Sequence, residues 1–106
     1  MNTKYLLDQS ETAASLLSAM SNTKRLMIIC NLLEGEIAVG SLAQRVDLSQ
    51  SALSQHLSKL RARNLVRTRR DAQTIYYSIA SEEVLKIMET LHTIYCTESK
   101  DLRAIA

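Results

Sequence analysis

The sequence predicts a mainly α fold with one small β-hairpin. Aliphatic residues recur at helical spacing through most of the chain, and two β-branched and aromatic runs near residues 65–79 interrupt that rhythm. No Pro-rich or Gly-rich linker, repeat or low-complexity tract divides the chain. A length of 106 residues suits one domain over residues 1–106, with a core of ordinary size for a small helical protein and little to spare. Phe and Trp are absent, so that core must be aliphatic.

The elements follow in order. Leu6, Ala13, Leu16, Leu17 and Met20 predict a helix over residues 3–20, and Ser21 or Asn22 suits the cap of the next one. That second helix, Thr23 to Leu33, is apolar almost all round through Leu26, Met27, Ile28, Ile29, Leu32 and Leu33, as expected of a central buried element. Gly35 suits its end. A short helix from Val39 to Val46, the turn Asp47-Leu48 and a further helix from Ser49 make a helix-turn-helix layout. Leu65 to Arg70 and Thr74 to Ile79 are expected to pair as a hairpin around Asp71-Ala72-Gln73, although that turn lacks the glycine tight hairpins prefer. Ser81-Glu82-Glu83 opens a last helix, whose N-terminus favours acids and whose stripe is Val84, Ile87, Met88, Leu91 and Tyr95. The expected order is thus four helices, two strands and a fifth helix.

The segment from Ser49 to Leu60 carries the functional signal. At about 100° per residue, Leu53, Leu57 and Leu60 fall on one stripe and Ser51, Gln55, Ser58 and Ala62 on the other, flanked by Ser54. A merely solvated helix would hold Glu and Lys there, because these keep helix propensity better than Ser. Small hydroxyls and an amide suit a DNA groove instead. Charge agrees: from Arg45 to Arg70 there are seven basic residues against the single acid Asp47, whereas the remainder has six basic and ten acidic residues. The net charge of +2 therefore conceals a polarised molecule with a phosphate-seeking face.

No basic-then-apolar leader and no uninterrupted apolar run near 18 residues is visible, so a cytoplasmic, nucleoid-associated protein without membrane contact is expected. In such a reducing compartment Cys30 and Cys96 are expected to be free, metal-bound or redox-active rather than a permanent staple.

Four strings resemble the ArsR/SmtB family of winged-helix repressors over nearly the whole chain. They are Asn22-Thr23-Lys24-Arg25-Leu26 before the central helix, Val39-Gly40-Ser41-Leu42-Ala43 at the start of the reading pair, Leu48 to Leu57 in the recognition helix, and Arg69 to Tyr77 in the wing. The resemblance implies a homodimer joined through the first and last helices, with two recognition helices entering successive major grooves of double-stranded operator DNA. Ser51, Ser54 and Gln55 would then reach base edges, and Ser49 and Gln50 phosphate or base. His56 stands at the flank of the buried stripe, as a phosphate contact or a packing residue. Lys59 and Arg63 would hold phosphate, and Arg69, Arg70, Gln73 and Thr74 the backbone or minor groove.

Several sensors of that family bind metals. Their thiolate site in the first reading helix is Cys-Val-Cys, where this chain has Ala38-Val39-Gly40, and their carboxylate-histidine site on the last helix has a spacing that His92 with Glu82, Glu83, Glu89 and Glu98 does not reproduce. A closed zinc site takes about four ligands, and His92 with Cys96 supplies two per chain. No metal and no other cofactor is expected.

The cysteines are the sharper signal. Each alone reads as a small buried hydrophobe, but the string Leu26 to Cys30 followed by Asn31 to Glu36, with Cys96 late in the last helix, resembles the persulfide-responsive BigR/SqrR-like branch of the family. The branch implies a dithiol switch in which a persulfide, polysulfide or oxidant bridges Cys30 and Cys96 and releases DNA. A thiolate is the reactive form and is favoured beside a cation; His92, four residues before Cys96, shares its helical face and is the tuning candidate. A direct disulfide needs Cα atoms within about 7 Å, and a wider pair needs extra sulfur. Leu48 to Tyr77 also resembles the NolR-like nodulation-regulator branch, which implies a regulator working without the cysteines. A metal-responsive repressor and a thiol enzyme using Cys96 and His92 are weaker alternatives, since no third orienting residue, oxyanion device or cofactor motif accompanies that pair. No enzyme activity is expected.

Overall fold

In the computed structural model, which describes residues 3–95, the chain runs through α1 (Thr3–Asp8), α2 (Ser10–Met20), α3 (Thr23–Leu32), β1 (Ile37–Ala38), α4 (Val39–Arg45), α5 (Gln50–Ala62), β2 (Val66–Asp71), β3 (Thr74–Ile79) and α6 (Glu82–Tyr95). Cys96, one half of the expected dithiol, lies outside the described residues. None of the described helices is long and apolar enough to cross a membrane.

Two departures from the expected order have local causes. The first helix is divided at Gln9, where φ is −101° and ψ 13°. There the Ser10 hydroxyl donates to the Leu6 carbonyl at 3.2 Å, and the Gln9 N–H is shared between the Tyr5 and Leu6 carbonyls at 3.1 Å each. A hydroxyl bonding back to the i−4 carbonyl competes with the helical ladder and bends it. The second departure is β1, a strand of only two residues, too short to show a period of two. It pairs antiparallel with β3, Ile37 opposite Tyr77 and Ala38 opposite Tyr76, so the hairpin is two strands of a three-stranded sheet ordered β1-β3-β2.

The remaining ends are specified by local chemistry. Asn22 caps α3 by accepting from the N–H groups of Lys24 and Arg25 at 2.9 and 3.1 Å. Ser81 caps α6 through a 3.2 Å bond from the Val84 N–H, and its hydroxyl donates to Glu83. The hairpin turn is Ala72-Gln73 and not the expected Asp71-Ala72-Gln73, because Asp71 extends β2 and pairs with Thr74, while Ala72 takes the positive φ of 57° that glycine usually supplies.

Helix α3 packs against α4, α5 and β3, and the α2 helix lies on α5. Ile28 and Ile29 of α3, Leu42 and Val46 around α4, Leu53, Leu57 and Leu60 of α5, and Val84 of α6 are fully buried. The aliphatic core is therefore centred on the junction of α3 with the helix-turn-helix. By contrast, Tyr5, Leu6, Leu7, Leu17, Leu85, Ile94 and Tyr95 stand exposed on α1, α2 and α6.

Leu57 touches this core from the middle of the helix that would read DNA, and it is 1% exposed. Leu57→Ala should cost about 2–5 kcal/mol, the usual range for a buried leucine. Urea unfolding at one fixed protein concentration, which removes any contribution from association, checks this figure; a loss below about 1 kcal/mol would contradict the packing.

Candidate nucleic-acid interface

The presented face of α5 follows from how α4 and α5 themselves end. At the end of α4, Asp47 adopts φ 55°, and the Leu48 N–H bonds back to the Ala43 carbonyl at 3.0 Å. At the end of α5, Asn64 adopts φ 59°, and the Leu65 N–H bonds to the Leu60 carbonyl at 3.0 Å. Both are left-handed caps in residues that tolerate that conformation. The first turns the chain into α5, and the second turns it directly into β2.

With Leu53, Leu57 and Leu60 buried, Gln50, Ser51, Ser54, Gln55, Ser58 and Lys59 are all exposed along α5. Ser49 serves as N-cap, accepting from the Ala52 N–H at 3.2 Å with its hydroxyl 3.4 Å from that of Ser51. The first turn carries no acid and the last turn carries Lys59 and Arg61. The N-terminal end of α5 therefore keeps its favourable potential toward an anion. Arg63 follows at the C-cap, exposed.

His56 is half-buried, and the structure gives it a partner that the sequence pattern did not reveal. Its Nδ1 lies 3.3 Å from a terminal nitrogen of Arg25, a residue only 9% exposed. Arginine can only donate, so Nδ1 accepts and the proton sits on Nε2. Arg25 also donates through Nε to the Ala19 carbonyl at 2.7 Å, and Lys24 donates to the Val46 carbonyl at 2.6 Å. The start of α3 is thereby tied to the end of α2, to the end of α4 and to the middle of α5. Burial, then the charges of Arg25, Lys59 and Lys24, hold the His56 pKa below 6.5.

In the wing, Arg67, Arg69, Arg70 and Gln73 are exposed and Thr74 is half-buried. The arginines are not equivalent. Arg69 donates through Nε to Glu36 at 3.1 Å and through a terminal nitrogen to the other carboxylate oxygen, while its guanidinium lies 4.5 Å from the ring centroid of Tyr76. The hydrogen bond from Arg69 holds the Glu36 carboxyl below the ordinary range, and Glu36 raises the Arg69 pKa in turn. Arg69 and Tyr76 are direct partners in the hairpin, one step away from the pairing that a turn at Asp71-Ala72-Gln73 implies, which would set Arg69 against Ile75. Glu36 was not readable either, since its position depends on β1.

The expectation of a buried central helix needs correction on one side. Cys30 is exposed, and with Thr23, Leu26, Met27, Met88, Leu91 and Tyr95 it lines an open apolar groove of about 460 Å³ between α3 and α6. His92 is exposed on α6. Among the described residues, no three His, Cys, Asp or Glu side chains converge as metal ligands would.

Comparison with known proteins agrees with this geometry. The family model described as bacterial regulatory protein, arsR family, matches residues 22–68. The nodulation protein NolR of Rhizobium meliloti is 65% identical over 88 residues, covering 83% of this chain and 72% of that protein. The transcriptional activator HlyU of Vibrio cholerae is 50% identical over 96 residues, covering 91% of this chain and 89% of that protein. Its solved structure, described as reduced, gives a TM-score of 0.82 at 49% identity and covers 89% of this chain and 99% of that one. The transcriptional repressor BigR of Xylella fastidiosa gives a TM-score of 0.86 at 35% identity, covering 92% of this chain and 99% of that one.

The burial of His56, with Arg25 beside it, has a pH consequence. A histidine whose folded pKa is depressed binds fewer protons than in the unfolded chain, so its contribution to stability is intact above the ordinary value and is lost as pH falls below it. Thermal unfolding from about pH 7.5 to about pH 5.5 should show wild type losing stability relative to His56→Gln, which cannot titrate in that window. Parallel curves for the two proteins would show that burial and the neighbouring cations do not depress His56.

Proposed function

Because this chain belongs to the ArsR family of bacterial regulatory proteins, and so is a winged-helix DNA-binding transcriptional regulator rather than an enzyme, we propose that it is a homodimeric dithiol repressor. It holds operator DNA when reduced and releases it when Cys30 and Cys96 are bridged. The observation that carries the redox part is the open groove, where Cys30 is exposed opposite Tyr95, the residue joined by one peptide bond to Cys96. Among the described residues the groove's lining has no charged group, which favours the protonated, electrophilic form of a persulfide beside a thiol.

The chemistry balances without a cofactor. One cysteine thiolate takes the outer sulfur of a persulfide RSSH and expels RSH; the second thiolate attacks the sulfur attached to the first residue and expels hydrosulfide. Two thiols are oxidised by two electrons, the persulfide is reduced to RSH and hydrogen sulfide, and a disulfide remains. Where the cysteine Cα atoms stand farther apart than about 7 Å, a second sulfur donor extends the bridge to a polysulfide. His92, four residues before Cys96, is the group we assign to favouring its thiolate.

Dimerisation is supported by the exposed Tyr5, Leu6, Leu7, Leu17, Leu85, Ile94 and Tyr95, all on the first two helices and the last. Large apolar side chains left exposed on these helices favour association through them. On DNA, Ser51, Ser54 and Gln55 read bases, Ser49 and Gln50 sit at the helix start, Lys59 and Arg63 hold phosphates, and the wing adds Arg70, Gln73 and Thr74. We keep His56 as the packing partner of Arg25. A repressor that acts without its cysteines is the second reading, favoured by the 65% identity to NolR; the cytoplasm is the compartment either one requires.

Two experiments test these assignments. Gln pairs bidentately with adenine, so Gln55→Ala should cost about 1–3 kcal/mol on the operator and relax preference at one base pair per half-site. Unchanged affinity and unchanged preference would remove Gln55 from the reading face. Cys30→Ser and Cys96→Ser should each bind the operator in the reduced state and each fail to dissociate with persulfide, while mass spectrometry of treated wild type finds Cys30 joined to Cys96. Dissociation of either variant at the wild-type persulfide concentration would transfer the assignment to the second reading.

A further inference from the structure

We infer that Glu36 is the positioning residue of the wing, and that Arg69 is its brace rather than a phosphate contact. The inference rests on the wing reading proposed above and assigns a role to a residue outside the basic segment.

The sheet order β1-β3-β2 puts β1 and β2 on opposite edges. Arg67, Arg69 and Asp71 of β2, Ser78, Tyr76 and Thr74 of β3, and Ala38 of β1 share one face, because registered partners share a face and alternate residues return to it. Ile37, Val66 and Tyr77, on the other face, are buried. Arg69 on one edge crosses the Tyr76 ring on the middle strand and ends on Glu36, the residue preceding β1 on the far edge. One side chain therefore spans the width of the sheet.

Three features make this a brace and not a casual surface pair. Both carboxylate oxygens of Glu36 are engaged by two different guanidinium nitrogens, a planar fit that lysine cannot reproduce. The guanidinium is also stacked on Tyr76, which fixes its plane. Finally, β1 contributes only two residues to its pairing, so the far edge has little backbone ladder of its own. A guanidinium already committed to a carboxylate adds no net positive charge to the face that meets DNA. The cationic work of the wing then falls to Arg67 and Arg70, for which no ion pair within 4.0 Å exists among the described residues.

The test separates geometry from charge. Glu36→Gln keeps the shape and removes the charge, Arg69→Lys keeps the charge and removes the fork, and Arg70→Ala is the phosphate control. In the DNA-free protein, backbone amides of residues 37–38 and 66–79 should exchange about two- to fivefold faster in Glu36→Gln and in Arg69→Lys, in keeping with the modest worth of exposed pairs. Operator binding should weaken by a similar factor in both, with the slope of log K against log salt unchanged in Arg69→Lys and not reduced in Glu36→Gln, which uncovers one guanidinium charge, whereas Arg70→Ala should reduce that slope by about one. Unaltered wing exchange in Glu36→Gln would overturn the inference. So would tighter DNA binding by that variant, which would mean that Glu36 merely repels phosphate. Full operator affinity in Arg69→Lys would overturn it as well, because charge alone would then suffice. If Arg70→Ala leaves the slope unchanged, the wing's DNA role under the proposed function fails instead, and the exchange measurement still decides the brace.

Discussion

Three leucines on α5 determine what the rest of this molecule can do. Leu53, Leu57 and Leu60 are buried against the core centred on α3, and burial of each is worth about 1.5–3 kcal/mol. Rotation of α5 about its axis would bring serine and glutamine inward without partners and turn leucine outward. The orientation of the exposed serine and glutamine face, the one proposed to read DNA, is thus a by-product of apolar burial, and the serines that weaken helix propensity are tolerated because packing, not propensity, holds the helix. The left-handed caps at Asp47 and Asn64 add the entry and exit directions.

The cations divide into those that organise the scaffold and those left for a partner. Lys24 neutralises the carbonyl end of α4, Arg25 joins α2 to His56, and Arg69 crosses the sheet to Glu36. These residues are as basic as Arg63 or Arg70 on paper. Their neighbours make the difference: a guanidinium facing a carboxylate or a carbonyl has its donors occupied, while one facing water has them available. Charge counting along a sequence cannot make that division, because the neighbours come from segments 6, 22, 31 and 33 residues away.

Legibility in the sequence follows the same rule. The α5 stripe, the Asn22 cap, the start of the last helix at Ser81 and the pairing of the two hairpin strands are readable because each depends on residues close in sequence, and Leu48 to Tyr77 is specific enough to point to the family; the hairpin register is not, since Asp71 belongs to β2 and pairs with Thr74 instead of standing in the turn. The break at Gln9 was hidden because the apolar spacing from Leu6 to Met20 carries straight through it, while the cause is one hydroxyl bonding backwards at Ser10. β1 was hidden because two residues show no alternation. Cys30 was read within a helix apolar on every side, yet α3 buries only Arg25, Ile28, Ile29 and Leu32; the open side toward α6 is set by how closely another helix approaches, which no local pattern records. Among the proposed site residues, His56 and Arg69 changed meaning most, because their partners lie farthest away in the chain.

Under the proposed dithiol reading, sensing and DNA reading would meet at helix α3. At about 100° per residue, Cys30 lies roughly 140° around the helix from Arg25. One side of α3 faces the groove toward α6, and the other carries the contact to His56 in α5. Its core-facing residues, Ile28 and Ile29, have no exposed surface, so the helix cannot shift without disturbing the packing beneath α5. Close-packed interiors transmit such displacements instead of absorbing them. A covalent bridge at Cys30 would therefore act on the element that seats the recognition helix. It would change DNA affinity only to the extent that the bridged and open forms differ in their fit to DNA, and the Arg25–His56 contact is one place where α3 touches α5.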